Sequence, residues 1–138
     1  AHLFSRILYA TDFSEGSQAC IPFLERMAAS SAILHIAHVE DARHLGYASA
    51  AKLHNLRKKA EKELSALQDR FTHSGFSQVE VVYRRGNAIS ELLSLLAEKE
   101  PDLLVIGAKG TFGITERVLG GVAEALIHRS PVHVLVIR

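Results

Sequence analysis

The chain has 138 residues, 48% of them hydrophobic, which fits one domain spanning 1–138 with a full core. Sixteen basic against fifteen acidic side chains leave a formal net charge of +1, so charge argues for neither a nucleic-acid surface nor a polybasic membrane surface. The single cysteine, Cys20, excludes an internal disulfide and suits a reducing cytoplasm, residues 1–6 hold no apolar signal core, and apolar runs such as 103–106 are far shorter than a membrane span.

In chain order, a β-branched run at 5–10 predicts the first strand. Ser14 is placed to cap a first helix whose apolar stripe is Cys20, Phe23, Leu24, Met27 and Ala28. Pro22 falls inside that stripe and predicts a kink or a late helix start. Residues 33–39 read as the second strand and 41–50 as a loop. Leu53, Leu56, Ala60, Leu64, Leu67 and Phe71 recur at spacings of three and four, predicting a long second helix stopped at Gly75. Arg57 with Glu61, and Lys59 with Glu63, can pair along its solvated face.

Residues 78–83 read as the third strand. Asn87 caps a third helix carrying Ile89, Leu92, Leu93 and Leu96, and Pro101 follows its end. A fourth strand at 103–106, a short helix with Val122, Ala125 and Leu126, Pro131, and a fifth strand at 132–137 complete the chain. Five strands alternating with four helices predict an α/β fold, a doubly wound parallel sheet with helices on both faces and right-handed crossovers. Such sheets bind ligands beyond the carboxyl ends of their strands, which directs attention to the residues after strands one and four.

Strand one runs into Ala10, Thr11, Asp12, Phe13 and Ser14, and strand four into Gly107, Ala108, Lys109 and Gly110. Gly120 and Gly121 open the last helix. Glycine lets backbone amides approach an anion, and a helix start presents unpaired N–H groups at the positive end of its dipole. A polyphosphate fits between the two segments, with Lys109 or Arg117 as countercharge. The same glycines also read as turns and close helix–strand packing, and Asp12 also reads as a cap or turn residue. Other motifs are set aside. His35 and His38 lie three apart on a strand, face opposite sides and do not share a metal. Cys20 sits on an apolar stripe and reads as a buried thiol. G-x-S-x-G, P-loop and G-x-G-x-x-G patterns are absent from the sequence. A phosphoacceptor receiver domain needs an Asp after strand three and a Lys after strand five, where this chain has Tyr83-Arg84-Arg85 and Arg138.

The pattern Gly107-x-x-Gly110-x9-Gly120, followed by Val122-Ala123-Glu124 and the terminal segment from Ser130 and Pro131 to Val136, resembles the universal stress protein family. Ala10-Thr11-Asp12-Phe13-Ser14 resembles that family's first strand and loop, and Arg85-Gly86-Asn87 the turn before its third helix. The resemblance implies a Rossmann-like strand order 3-2-1-4-5 and a stress-response regulatory role. It implies an adenine nucleotide (ATP, ADP or AMP), with Mg2+ as a possible companion, and at most weak hydrolysis with no catalytic or metal-ligating residue assigned. Asp12, beside Ala10 and Thr11, would lie by the nucleotide, and the Val39 backbone would meet adenine. Gly107, Lys109, Gly110, Gly120, Gly121 and Val122 would cradle ribose and phosphates.

The family pattern ends in glycine followed by Ser or Thr, and this chain has Gly121 there, which removes a hydroxyl donor to phosphate. The alternative is therefore an interaction subunit that keeps the fold without a nucleotide. Strand five lies at an edge in this order, with Val132, Val134 and Val136 on one face, His133, Leu135 and Ile137 on the other, and one charge, Arg138, at its end. An edge so little protected predicts a homodimer through that strand.

Overall fold

The computed structural model describes residues 4–108 and 119–138. These residues form β1 (Phe4–Ala10), α1 (Glu15–Gln18), α2 (Ile21–Met27), β2 (Ser31–Asp41), α3 (Ala50–Ser74), β3 (Gln78–Gly86), α4 (Ala88–Lys99), β4 (Leu103–Gly107), α5 (Gly121–Arg129) and β5 (His133–Ile137). The sheet order is β3-β2-β1-β4-β5 with every pairing parallel. This is the doubly wound, Rossmann-like sheet anticipated from the sequence.

Alternation along each strand divides the core in two. Ile7, Tyr9, Leu34, Ile36, Leu103 and Val105 pack with Leu24, Leu64 and Phe71 of α2 and α3. Leu8, Ala37, Leu104 and Ile106 pack with Leu92, Leu95 and Leu96 of α4 and Ala123 and Leu126 of α5. Helices therefore cover both faces, as buried parallel strands require.

Local signals act where the sequence placed them. Ser14 accepts from the Ser17 amide, Asn87 from the Ser90 amide, and Gly75 closes α3 at φ 117°, a conformation that costs a residue with a Cβ. Arg57 pairs with Glu61 at 2.7 Å. Pro22 resolves as a division of the first helical stretch: α1 ends at Gln18, α2 starts at Ile21, and Pro22 stands at its second position, where no intrahelical partner is lost. β2 and β3 run well past the carboxyl ends of their β-branched cores. β2 reaches Asp41 and β3 reaches Gly86, paired to each other along the whole extension. Asp41, read as the start of a loop, ends β2 and accepts from the Arg43 amide while its carboxylate holds the Arg43 guanidinium at 2.7 Å. β5 begins at His133, because the Ser130 hydroxyl bonds Val132 through both its amide and its carbonyl.

His35 is buried on the α4 side of β2, with Nδ1 at 2.8 Å from a Glu80 carboxylate oxygen but without hydrogen-bond geometry at either ring nitrogen. Burial pushes its pKa below the ordinary 6.5, outweighing the opposing pull of Glu80. A depressed folded-state pKa means that the unfolded chain binds the proton first. The stability contribution is present above the unfolded value and is lost as pH falls through the folded one. Denaturant titrations at about pH 7 and about pH 5 should therefore show a steeper acid loss in the unmodified chain than in His35→Gln. Equal losses would show that His35 does not set the acid limb.

Candidate functional site

β1 lies at the centre of the sheet, between β2 and β4. The chain leaves β1 toward α1 and α2 on one face and leaves β4 toward α5 on the other. Between these diverging connections lies the crevice where open α/β sheets hold ligands.

On the β1 side, Ala10 is partly buried against the α4–α5 face. Thr11 is buried, its amide donating to Ala37 O at 2.9 Å and its hydroxyl oxygen accepting from Phe13 N at 3.0 Å and from Ser17 Oγ at 2.5 Å. Tyr9 donates to Ser17 O at 2.6 Å, so α1 is tied to β1 through a buried polar chain. Asp12 is exposed, and its Oδ1 accepts from both the amide and the hydroxyl of Ser14. The turn reading of Asp12 is thus realised, on a carboxylate that still stands at the sheet's carboxyl edge. Phe13 adopts φ 65°, a left-handed conformation costing a residue with a side chain about 1–2 kcal/mol. It is held there by the Thr11 hydroxyl and by Gln18 Nε2, which donates to Phe13 O at 2.9 Å.

On the β4 side, Gly107 is set by packing. A Cβ there would stand 2.5 Å from Gly16 O and 2.7 Å from Gly16 C, so α1 lies directly on this glycine. Ala108 donates to Ile137 O and accepts from Gly120 N, both at 2.8 Å, which pins the start of α5 to the end of β4. Gly120 is the extended N-cap of α5 and brings no side chain to its first amides. Gly121 opens α5 with nothing within 4 Å of where a Cβ would be, and Val122 packs against the α4–α5 core. Lys109, Gly110 and Arg117 lie outside the described residues.

The structure therefore brings Thr11, Asp12, Gly107, Gly120 and Gly121 to one edge. Val39 stands apart from that group. β1 pairs with β2 only as far as Ala10 opposite Ala37, while Val39 pairs with Arg84 of β3 and packs toward α4. One residue at this edge, His38, enters the sequence reading only as a metal ligand set aside. His38 is buried, donates Nδ1–H to Thr11 O at 2.8 Å, and stacks on Phe13 with ring centroids 4.4 Å apart. The available signal was a second polar ring, nearer the carboxyl end of the strand than His35.

Cys20 lies in the core beneath, its thiol pushed up to about 12 by burial and then by the Asp12 charge, which makes it a poor nucleophile. Among the described residues no group of three or more His, Cys, Asp or Glu is placed to hold a metal ion. Surface concavities lie at opposite ends of the strands. One of about 760 Å³ is at the amino ends of the strands, beside Phe4, Asp102 and His133. One of about 460 Å³ lies beside β5. Gly107→Ala should lower the unfolding free energy by about 1–3 kcal/mol, as overfilled packing does. An unchanged urea midpoint would mean that α1 yields to the added methyl.

The universal stress protein family model matches residues 3–138. The chain is 26% identical over 149 residues to universal stress protein YxiE of Bacillus subtilis (strain 168), spanning 99% of this chain and 100% of that one. In fold it resembles the protein MJ0577 with a TM-score of 0.88 at 24% identity, covering 98% of this chain and 96% of that one. It also resembles a universal stress protein in complex with cAMP, with a TM-score of 0.66 at 26% identity, covering 98% of this chain and 97% of that one. A family match along almost the whole length, on the same five-stranded fold, leads to one conclusion: the chain belongs to the universal stress protein family.

Proposed function

We propose that this universal stress protein binds an adenine nucleotide at the carboxyl edge between β1 and β4 and acts as a regulatory module in stress response. The observation that carries the reading is the start of α5. Among the described residues its first amides receive no side-chain cap, and Gly120 N–H ties them to Ala108 O at the end of β4. Unpaired amides at the positive end of a helix dipole fit a phosphate. The similarity to a family member in complex with cAMP supports an adenine base.

In this reading Gly120, Gly121 and Val122 offer backbone amides to phosphate, with Lys109 and Gly110 completing the cradle. Asp12, presented by Ala10 and Thr11, accepts from a ribose hydroxyl. The Val39 backbone contacts adenine from the extension of β2. Gly107 lets α1 lie close to the cradle. ATP, ADP and AMP are all candidates, and any Mg2+ is held through the phosphates. No residue is assigned a catalytic role, and the setting is cytoplasmic. No helix among the described residues is long and apolar enough to cross a membrane.

Two observations favour a second reading, an interaction subunit without nucleotide. Gly107 is fully explained by its contact with Gly16, and Gly121 lacks a hydroxyl. Calorimetry with ATP, ADP, AMP and cyclic AMP separates the two, and silence with all four at millimolar concentration would establish the second. Under the first, Gly121→Ser should tighten ATP binding by roughly tenfold, the effect of one added hydrogen bond to a charged oxygen. The open space around Gly121 admits the side chain.

The same reading includes a homodimer through β5. Among the described residues no strand pairs with its outer side. Phe23 and Ile127, both exposed, flank the groove of about 460 Å³ that Val136 and Ile137 help to line. A second copy paired along Val132, Val134 and Val136 would satisfy the edge and cover this apolar surface. Sedimentation at tens of micromolar should give a dimer for the unmodified chain and a monomer for Val134→Lys combined with Val136→Pro. A monomeric unmodified chain would remove the dimer from the reading.

A further inference from the structure

Asp12 is the one charged side chain placed at the crevice by β1, and both of its chain neighbours are held by the same imidazole. The carbonyl of Thr11 accepts from His38 Nδ1 at 2.8 Å, and the ring of Phe13 lies over the His38 ring at 4.4 Å and 23°. We propose that His38 is the positioning residue of Asp12, setting the preference of the site for a ribose bearing free hydroxyls. This role rests on the nucleotide reading given above.

The regular ladder stops short of Asp12. β1 and β2 pair to Ala10 opposite Ala37, and the Thr11 amide makes one more bond, to Ala37 O. Beyond that point a side chain supplies the donor to Thr11 O. A carbonyl oxygen only accepts, so Nδ1 carries the proton and the tautomer is fixed. Nε2 stands 3.8 Å from a Glu40 carboxylate oxygen, beyond hydrogen-bond reach. The ring itself is buried, stacked on Phe13 and packed at 6.0 Å against Tyr83, over which Arg57 lies at 5.2 Å. It has little freedom to turn. One neighbour of Asp12 is fixed through its carbonyl and the other, in its left-handed conformation, through its ring. A carboxylate on a backbone held in this way is ordered before any ligand arrives, and binding is spared that ordering cost.

Asn and Gln separate the two ring nitrogens, since the Asn amide reaches the Nδ1 position and the Gln amide the Nε2 position. His38→Asn should bind AMP within about threefold of the unmodified chain, while His38→Leu should lose roughly tenfold, the effect of one buried hydrogen bond. The loss should be specific: AMP weakens in His38→Leu, 2′,3′-dideoxyadenosine monophosphate does not, and discrimination between the two collapses. Where His38→Leu does not fold, His38→Gln serves as the variant lacking the donor. Nitrogen-15 spectra should show the Nδ1–H tautomer. Equal losses for both nucleotides, unchanged AMP affinity in His38→Leu, or an Nε2–H tautomer would each overturn the role. If the unmodified chain binds no AMP at millimolar concentration, the nucleotide reading falls and the role falls with it. If it binds AMP and His38→Leu binds equally well, the role alone falls.

Discussion

Ile7, Leu8 and Tyr9 are fully buried, although successive residues of a strand point to opposite faces. That burial on both sides is the constraint from which the architecture follows. A strand apolar on both faces needs a helical layer on each, and here α2 and α3 supply one and α4 and α5 the other. Parallel strands put every connection into those layers, and the connections leaving β1 and β4 go to different ones. The carboxyl ends of β1 and β4 are thereby left flanking an open crevice. The placement of the candidate site is thus a consequence of how the centre of the sheet is buried.

At the rim of this core, polar groups hold backbone where the ladder has ended. Tyr9, Ser17 and Thr11 form a buried chain of hydroxyl and carbonyl contacts under α1. Asp102 performs the corresponding task at the opposite end of β1, accepting from the amides of Ser5 and Arg6 while its own amide donates to Arg6 O. Both ends of the central strand are therefore fixed by side chains from elsewhere in the chain. Buried polar groups need such partners, and their geometry is correspondingly restricted.

The glycines at the crevice do different physical work. Gly107 is demanded by the backbone of α1, Gly120 supplies an extended cap without a side chain, and Gly121 stands in open space. Glycine spacing alone treats them alike. Close packing accounts for the first without any ligand, so the nucleotide reading rests on α5 and Asp12 more than on Gly107.

Much of this was legible in the sequence because it is local. Strand and helix alternation, the caps Ser14, Asn87 and Gly75, the break at Pro22 and the two faces of β5 all depend on neighbours a few residues apart. The lengths of β2 and β3 depend on each other: Glu40 and Asp41 extend because Arg85 and Gly86 lie beside them. Val39 stands beyond the end of β1, and only the register of three strands reveals that. Gly107 meets Gly16, and His38 meets both Thr11 and Phe13, across separations that no periodic pattern records. Sequence by itself determined the elements and the order in which they had to be buried, since hydrophobic period and backbone stereochemistry act within a turn or a strand. Tertiary structure alone decided which polar groups met at the crevice, since those contacts arise only after the strands have taken their register.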